Sequence, residues 1–153
     1  MGFKQDALSL DMLLGQVCKL HYHRARQVFE GAGLYRGQPR LLRLLWEQEG
    51  QTHSDLAREM RVQPSTITKM IQRMEKAGFV SRRPDPDDQR VSRVYLTELG
   101  RAVQEEVREA FGLLEQETFF GLAEAERKTL RRLLLQIRDN LMQVTEDEDH
   151  PLF

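Results

Sequence analysis

The sequence predicts a mainly α fold carrying one small β-hairpin, built as a single unit of 153 residues. Three observations lead there. Apolar residues recur at spacings of three and four over most of the chain, the period of amphipathic helices. Charged residues make up 31% and aromatics 7%, a balance that suits solvated helices rather than a β-sandwich or a disordered chain. Strand-like runs occur only on either side of "PDPDD", a proline-aspartate knot that forces a turn. A chain of this length buries one real core and is too short for two independent ones.

Taken in order, Leu10, Leu13, Leu14, Val17, Leu20 and Val28 place a long first helix from Asp6 to about Glu30, which "GAGLYRG" breaks. A short helix follows in "QPRLLRLLWEQEG", with Leu41, Leu42, Leu44, Leu45 and Trp46 facing inward and Gly50 ending it. Thr52 opens the next helix through a T-x-x-D capping box with Asp55, and that helix runs to about Met60. After "RVQ", Pro64 fits the first position of a further helix, with Gln63 before it. Ile67, Met70, Ile71 and Met74 form its apolar stripe, while Ser65, Lys69, Gln72, Arg73 and Lys76 form the opposite one. Gly78 ends it. Strands are expected at Phe79 to Arg83 and Val91 to Leu96, then helices at Glu98 to Thr118 and Ala123 to Val144, then a frayed acidic tail, "TEDEDH".

The net charge of -1 hides an asymmetry. Residues 61–93 hold eight basic and four acidic side chains, a net of +4, whereas residues 98–149 hold seven basic and thirteen acidic, a net of -6. A basic module on an acidic helical remainder fits a localised anionic partner. No apolar run reaches the roughly 20 residues of a membrane span, and the N-terminus has acidic residues where a signal peptide needs a basic start. The single cysteine forms no internal disulfide, so a reducing, cytoplasmic setting is expected. His21 and His23 stand about 200° apart on a helix and do not share one metal ion. With no catalytic triad, paired-carboxylate pocket, phosphate loop or Cys-His metal spacing, neither an enzyme nor a cofactor is expected.

A short helix, a tight turn, a helix with small polar residues at its front and a two-stranded hairpin are the layout of a winged helix-turn-helix. A major groove admits such a helix, and Lys69 and Arg73, one turn apart, can reach phosphates or guanine edges from one face. Here the residues become recognisable. "THSDLA" (Thr52 to Ala57), "PSTIT" (Pro64 to Thr68), "MEKAGFV" (Met74 to Val80), Asp88-Gln89-Arg90 and "LTELG" (Leu96 to Gly100) resemble the motifs of the MarR family of bacterial transcriptional regulators. The resemblance is strong over residues 38–100.

The resemblance implies a homodimer on a palindromic double-stranded DNA operator, acting as a repressor relieved by a small-molecule effector or another signal. Residues 38–97 would be the DNA-binding part, and residues 6–33 and 98–145 the helical dimerisation part. It assigns Ser65, Thr66, Thr68, Lys69, Gln72 and Arg73 to the recognition helix and Arg90 to the wing tip, with Asp88 orienting Arg90. Ser54 and Arg93 are expected on phosphate. Asp85 and Asp87 read as turn residues with solvated charges, and Phe111 and Leu114 as dimer core. The effector crevice would involve His21, Arg24, Tyr35 and Trp46. Two alternatives stand beside this: peroxide sensing through Cys18, as in a hydroperoxide-sensing branch of the family, and a helical interaction module that keeps the fold without binding DNA.

Overall fold

The computed structural model describes residues 8–35 and 37–144. The acidic tail and the expected helix start at Asp6 lie outside the described residues. Among the described residues the order of elements is α1 (Leu10–Glu30), α2 (Gln38–Glu47), β1 (Gln51–Thr52), α3 (His53–Met60), α4 (Pro64–Lys76), β2 (Val80–Pro84), β3 (Ser92–Leu96), α5 (Glu98–Ala102), α6 (Gln104–Thr118) and α7 (Glu124–Val144).

Local chemistry explains most boundaries. The Ser9 side chain caps α1 by accepting from the Met12 amide at 3.2 Å. Both halves of the capping box at α3 form: Thr52 Oγ1 accepts from the Asp55 amide at 3.1 Å, and the Asp55 carboxylate accepts from the Thr52 amide at 3.4 Å. Pro64 opens α4 after an extended Gln63, and Gly78, at φ 87°, lets the chain leave it. Between α3 and α4 the turn depends on Arg61 in the left-handed region at φ 55°, so that the Val62 amide reaches the Ala57 carbonyl at 3.0 Å.

The core lies where α2, α3, α4 and the sheet meet. Leu41, Leu42, Leu45, Leu56, Ile67, Ile71, Met74 and Val94 are wholly enclosed there. Truncating one such side chain to alanine costs about 2–5 kcal/mol. Leu44 and Trp46 are half-buried against this core rather than inside it.

Three findings differ from the sequence expectation. A third strand, β1, pairs antiparallel with β3 (Gln51 with Val94, Thr52 with Arg93), so the hairpin is part of a sheet ordered β1-β3-β2. Two residues carry too little pattern to be read as a strand. Second, the expected helix from Glu98 to Thr118 is two helices that part at Val103. Gly100 lies flat on the Phe79 carbonyl, and its own carbonyl accepts from Trp46 Nε1 at 2.9 Å, drawing on the acceptor an unbroken helix would offer to residue 104. Third, Phe111 and Leu114 pack inside the chain: Phe111 stands edge-on to Phe29, its ring centre 4.6 Å away, and Leu114 is buried.

Candidate nucleic-acid interface

Helix α4 is split lengthwise by burial. Ile67, Met70, Ile71 and Met74 face the core, while Ser65, Lys69, Gln72, Arg73 and Lys76 face solvent and Thr66 and Thr68 lie half-buried between the two. Its exposed side is therefore a row of small polar residues followed by cations. Ser54 is exposed in the first turn of α3, a helix that packs against α4. The His53 ring of α3 reaches α4, its Nδ1 3.3 Å from Thr68 Oγ1. On the far side of α4, Arg82 of β2 forms an ion pair with Glu75 at 2.9 Å and ties the sheet to the helix.

The loop between β2 and β3 is organised by one carboxylate. Asp85 is buried, not solvated as expected, because donors close around it from two sides. Its Oδ1 accepts from the amides of Asp87 (2.8 Å) and Asp88 (3.0 Å), and its Oδ2 accepts from Arg93 Nε and pairs with that guanidinium. The Arg93 bond first, and the two amides after it, hold the Asp85 carboxyl below its usual range. Arg93, expected on phosphate, thus points inward, and its Nη1 also donates to the Gly50 carbonyl at 2.7 Å.

Asp88 has a different task. Its carboxylate accepts from the Arg90 amide (3.1 Å), from Nε (3.0 Å) and from Nη2 (3.1 Å), so the guanidinium is gripped at both ends of the carboxylate. The Arg90 side chain is nonetheless 90% exposed. A cation held in one direction at the tip of the hairpin is the result. The Arg83 guanidinium lies over the Tyr95 ring at 4.6 Å.

The four residues expected around an effector have different surroundings. Arg24 is engaged by Glu117 through two bonds of 2.6 and 2.8 Å, Tyr35 is exposed, and His21 is half-buried on α1 with its pKa lowered by burial. Trp46 alone of the four borders a groove of about 450 Å³ between α2 and α6, with Arg43, Arg108, Phe111 and Glu115. Sequence reading missed Arg43, whose guanidinium sits 4.8 Å over the Phe111 ring; a cation and an aromatic 68 positions apart leave no local signal. Cys18 is exposed on α1. Among the described residues there is no cluster suited to hold a metal ion, and no helix is long and apolar enough to cross a membrane.

Comparisons with known proteins agree with this geometry. The MarR family profile matches residues 34–92. The HTH-type transcriptional repressor IacR of Pseudomonas putida is 36% identical over 102 residues, which cover 67% of this chain and 61% of that protein. The match thus spans less than two thirds of that relative's length. Among solved structures, BpsR of Bordetella bronchiseptica, described in terms of regulation of DNA binding by 6-hydroxynicotinic acid, superposes with a TM-score of 0.78 at 27% identity. That match covers 90% of this chain and 99% of BpsR. A mutant MarR from Escherichia coli in complex with operator DNA gives a TM-score of 0.77 at 25% identity, over 90% of this chain and 99% of that one.

Proposed function

The chain belongs to the MarR family, and from that premise we propose that it is a sequence-specific double-stranded DNA-binding regulator. It acts as a homodimer on a palindromic operator and represses until a signal relieves it. The observation that carries this reading is the pairing of two presentations: the exposed row Ser65, Lys69, Gln72 and Arg73 on α4, and Arg90 held outward by Asp88 on the hairpin. A helix face of small and cationic residues suits the major groove, and a fixed guanidinium suits the narrow, electronegative minor groove beside it. Ser54, Thr66 and Thr68 complete the reading face in this proposal, whereas Arg93 contributes by holding the hairpin together.

Residues 38–97 form the reading head, and residues 6–33 and 98–145 the dimerisation helices. Support for the dimer comes from α7, none of whose 21 residues is buried within the chain although it carries Leu133, Leu134, Ile137 and Leu141. Apolar stripes of this size find cover against a second copy. The groove beside Trp46 and Arg43 is where a small effector would bear on both parts, since it lies between α2 of the head and α6. Such a regulator works in the cytoplasm, where the operator is.

Selection of bound duplexes from a random DNA pool tests the reading. A palindrome whose half-sites are about one helical turn apart, bound with steep salt dependence, is the expected result. Recovery of no preferred sequence, with binding unaffected by salt, would instead favour a helical interaction module.

A further inference from the structure

His53 is the first residue of α3, and its ring is turned toward the recognition helix rather than to solvent. Its two nitrogens are in unlike places. Nδ1 lies 3.3 Å from Thr68 Oγ1, while Nε2 is buried with no hydrogen-bond partner among the described residues. A neutral imidazole carries one proton, on one nitrogen or the other. On Nε2 that proton would make a buried N–H donor without an acceptor, which proteins rarely tolerate; on Nδ1 it leaves only an unused lone pair at Nε2. The doubly protonated ring is disfavoured by burial first and by the Arg82 guanidinium of β2 second, with Glu75 of α4 pulling the other way. The positive end of α3 opposes it too.

We propose that His53 donates from Nδ1 to Thr68 and thereby presents the Thr68 hydroxyl to DNA as a hydrogen-bond donor. A threonine hydroxyl has one proton and two lone pairs. His53 takes one lone pair, so the hydroxyl proton can turn to a ligand on the open side of α4. The matching chemistry is an acceptor oxygen or nitrogen: a purine N7, guanine O6 or thymine O4 in the major groove, or a phosphate oxygen. The exocyclic amino groups of adenine and cytosine could engage only the one lone pair that His53 leaves, so an acceptor is the favoured partner. His53 touches no DNA in this scheme; it is a positioning residue that sets the hydrogen-bonding sense of one contact. The inference rests on the DNA-binding reading above and adds the polarity of one position in it.

The tautomer is tested on the free, full-length protein. Long-range proton–nitrogen NMR of protein labelled at histidine nitrogen is expected to show His53 protonated at Nδ1; protonation at Nε2 alone overturns the proposal without reference to any variant. Coupling is then tested on the selected operator. His53→Phe and Thr68→Val are each expected to weaken binding roughly two- to tenfold, the range of one hydrogen bond, and the double variant is expected to bind no worse than Thr68→Val. His53→Asn, whose amide can donate from near the place of Nδ1, should recover most of the loss. Multiplying losses in the double variant, or no recovery with asparagine, overturn the role. Repeating the selection with His53→Phe separates the sources: relaxed preference at one position per half-site identifies a base edge, and a uniform loss identifies a phosphate. If the unaltered protein binds no DNA, the DNA reading fails and takes the Thr68 contact with it, while the NMR result still reports the ring.

Discussion

Asp85, Asp87 and Asp88 stand within four positions of one another, and their surroundings give each a different job. Asp85 is enclosed by Arg93 and two amides, Asp88 grips Arg90, and Asp87 is exposed. Replacing Asp85 by alanine strips the socket and leaves Arg93 facing the Gly50 carbonyl without its acid, so the melting temperature should fall well below that of Asp87→Ala. Equal melting temperatures for the two variants would show that the buried carboxylate is not what holds the loop. Asp88→Ala should weaken operator binding even though it removes a negative charge, because Arg90 then pays the ordering entropy on binding. A titration across salt should also show Arg90→Ala flattening the log–log slope by roughly 0.9, one phosphate equivalent; tighter binding by Asp88→Ala would contradict the orienting role. Protonation gives a further outcome. His53 and His21 have pKa values below their usual 6.5 in the folded chain, with burial the first cause, so the unfolded chain binds these protons more readily. Their contribution to stability is therefore complete above 6.5 and is lost as pH falls through the lowered folded values. Asp55, Asp85 and Glu49 sit below their usual 3.8, 3.8 and 4.5 and keep their contribution to lower pH. Melting temperature should accordingly drop as pH falls below 6.5, and drop less in His53→Asn. At this scale the sequence disclosed residue types and left their partners hidden: Asp88 and Arg90 are two positions apart and could be paired on paper, whereas the burial of Asp85 depends on an arginine across the hairpin.

Elements whose signal is local were readable in advance. The capping box of α3, Pro64 at the start of α4 and the split of α4 into Ile67, Met70, Ile71 and Met74 against the polar row all stand as the spacing implied. What escaped depended on distant contacts. β1 exists because Gln51 and Thr52 meet Val94 and Arg93, and the parting of α5 from α6 depends on Gly100 lying against Phe79 and bonding Trp46. Gly100 consequently has no room for a methyl group, since a Cβ would overlap the Phe79 carbonyl, a backbone atom that cannot swing aside. Gly100→Ala should lower stability by about 1–3 kcal/mol, the cost of overpacking. The shift in denaturant midpoint measures it, and a midpoint unchanged from that of the parent chain would mean that the two backbones separate more easily than the packing implies.

For the molecule as a whole, the apolar surface divides between what one chain covers and what it leaves open. Leu10 is 87% and Leu20 68% exposed on α1, and α7 exposes Leu134, Ile137 and Leu141 together. Covering these is the dimer's part in the proposed function, and Leu134→Glu should shift the sedimentation of the protein from two copies toward one while the reading head stays folded. Unaltered sedimentation would place the dimer contact elsewhere. The second copy was implied by the family resemblance, whereas the stripe that periodicity marked as dimer core, Phe111 and Leu114, packs within the chain; the groove beside Arg43 and Trp46 was not legible, since it is made by α2 and α6 meeting. One residue bears on all of this. Thr52 pairs with Arg93 through its backbone as the last residue of β1 and caps α3 through its side-chain oxygen. Through Thr52 the sheet and α3 are one piece, and α4 joins it by packing on α3 and by the Glu75–Arg82 ion pair, so in the proposed complex the interval between the wing and α4 contacts works as a fixed gauge. Whatever play exists in fitting an operator then belongs to the joint between the two heads, and a signal that loosens the grip has that joint to act on.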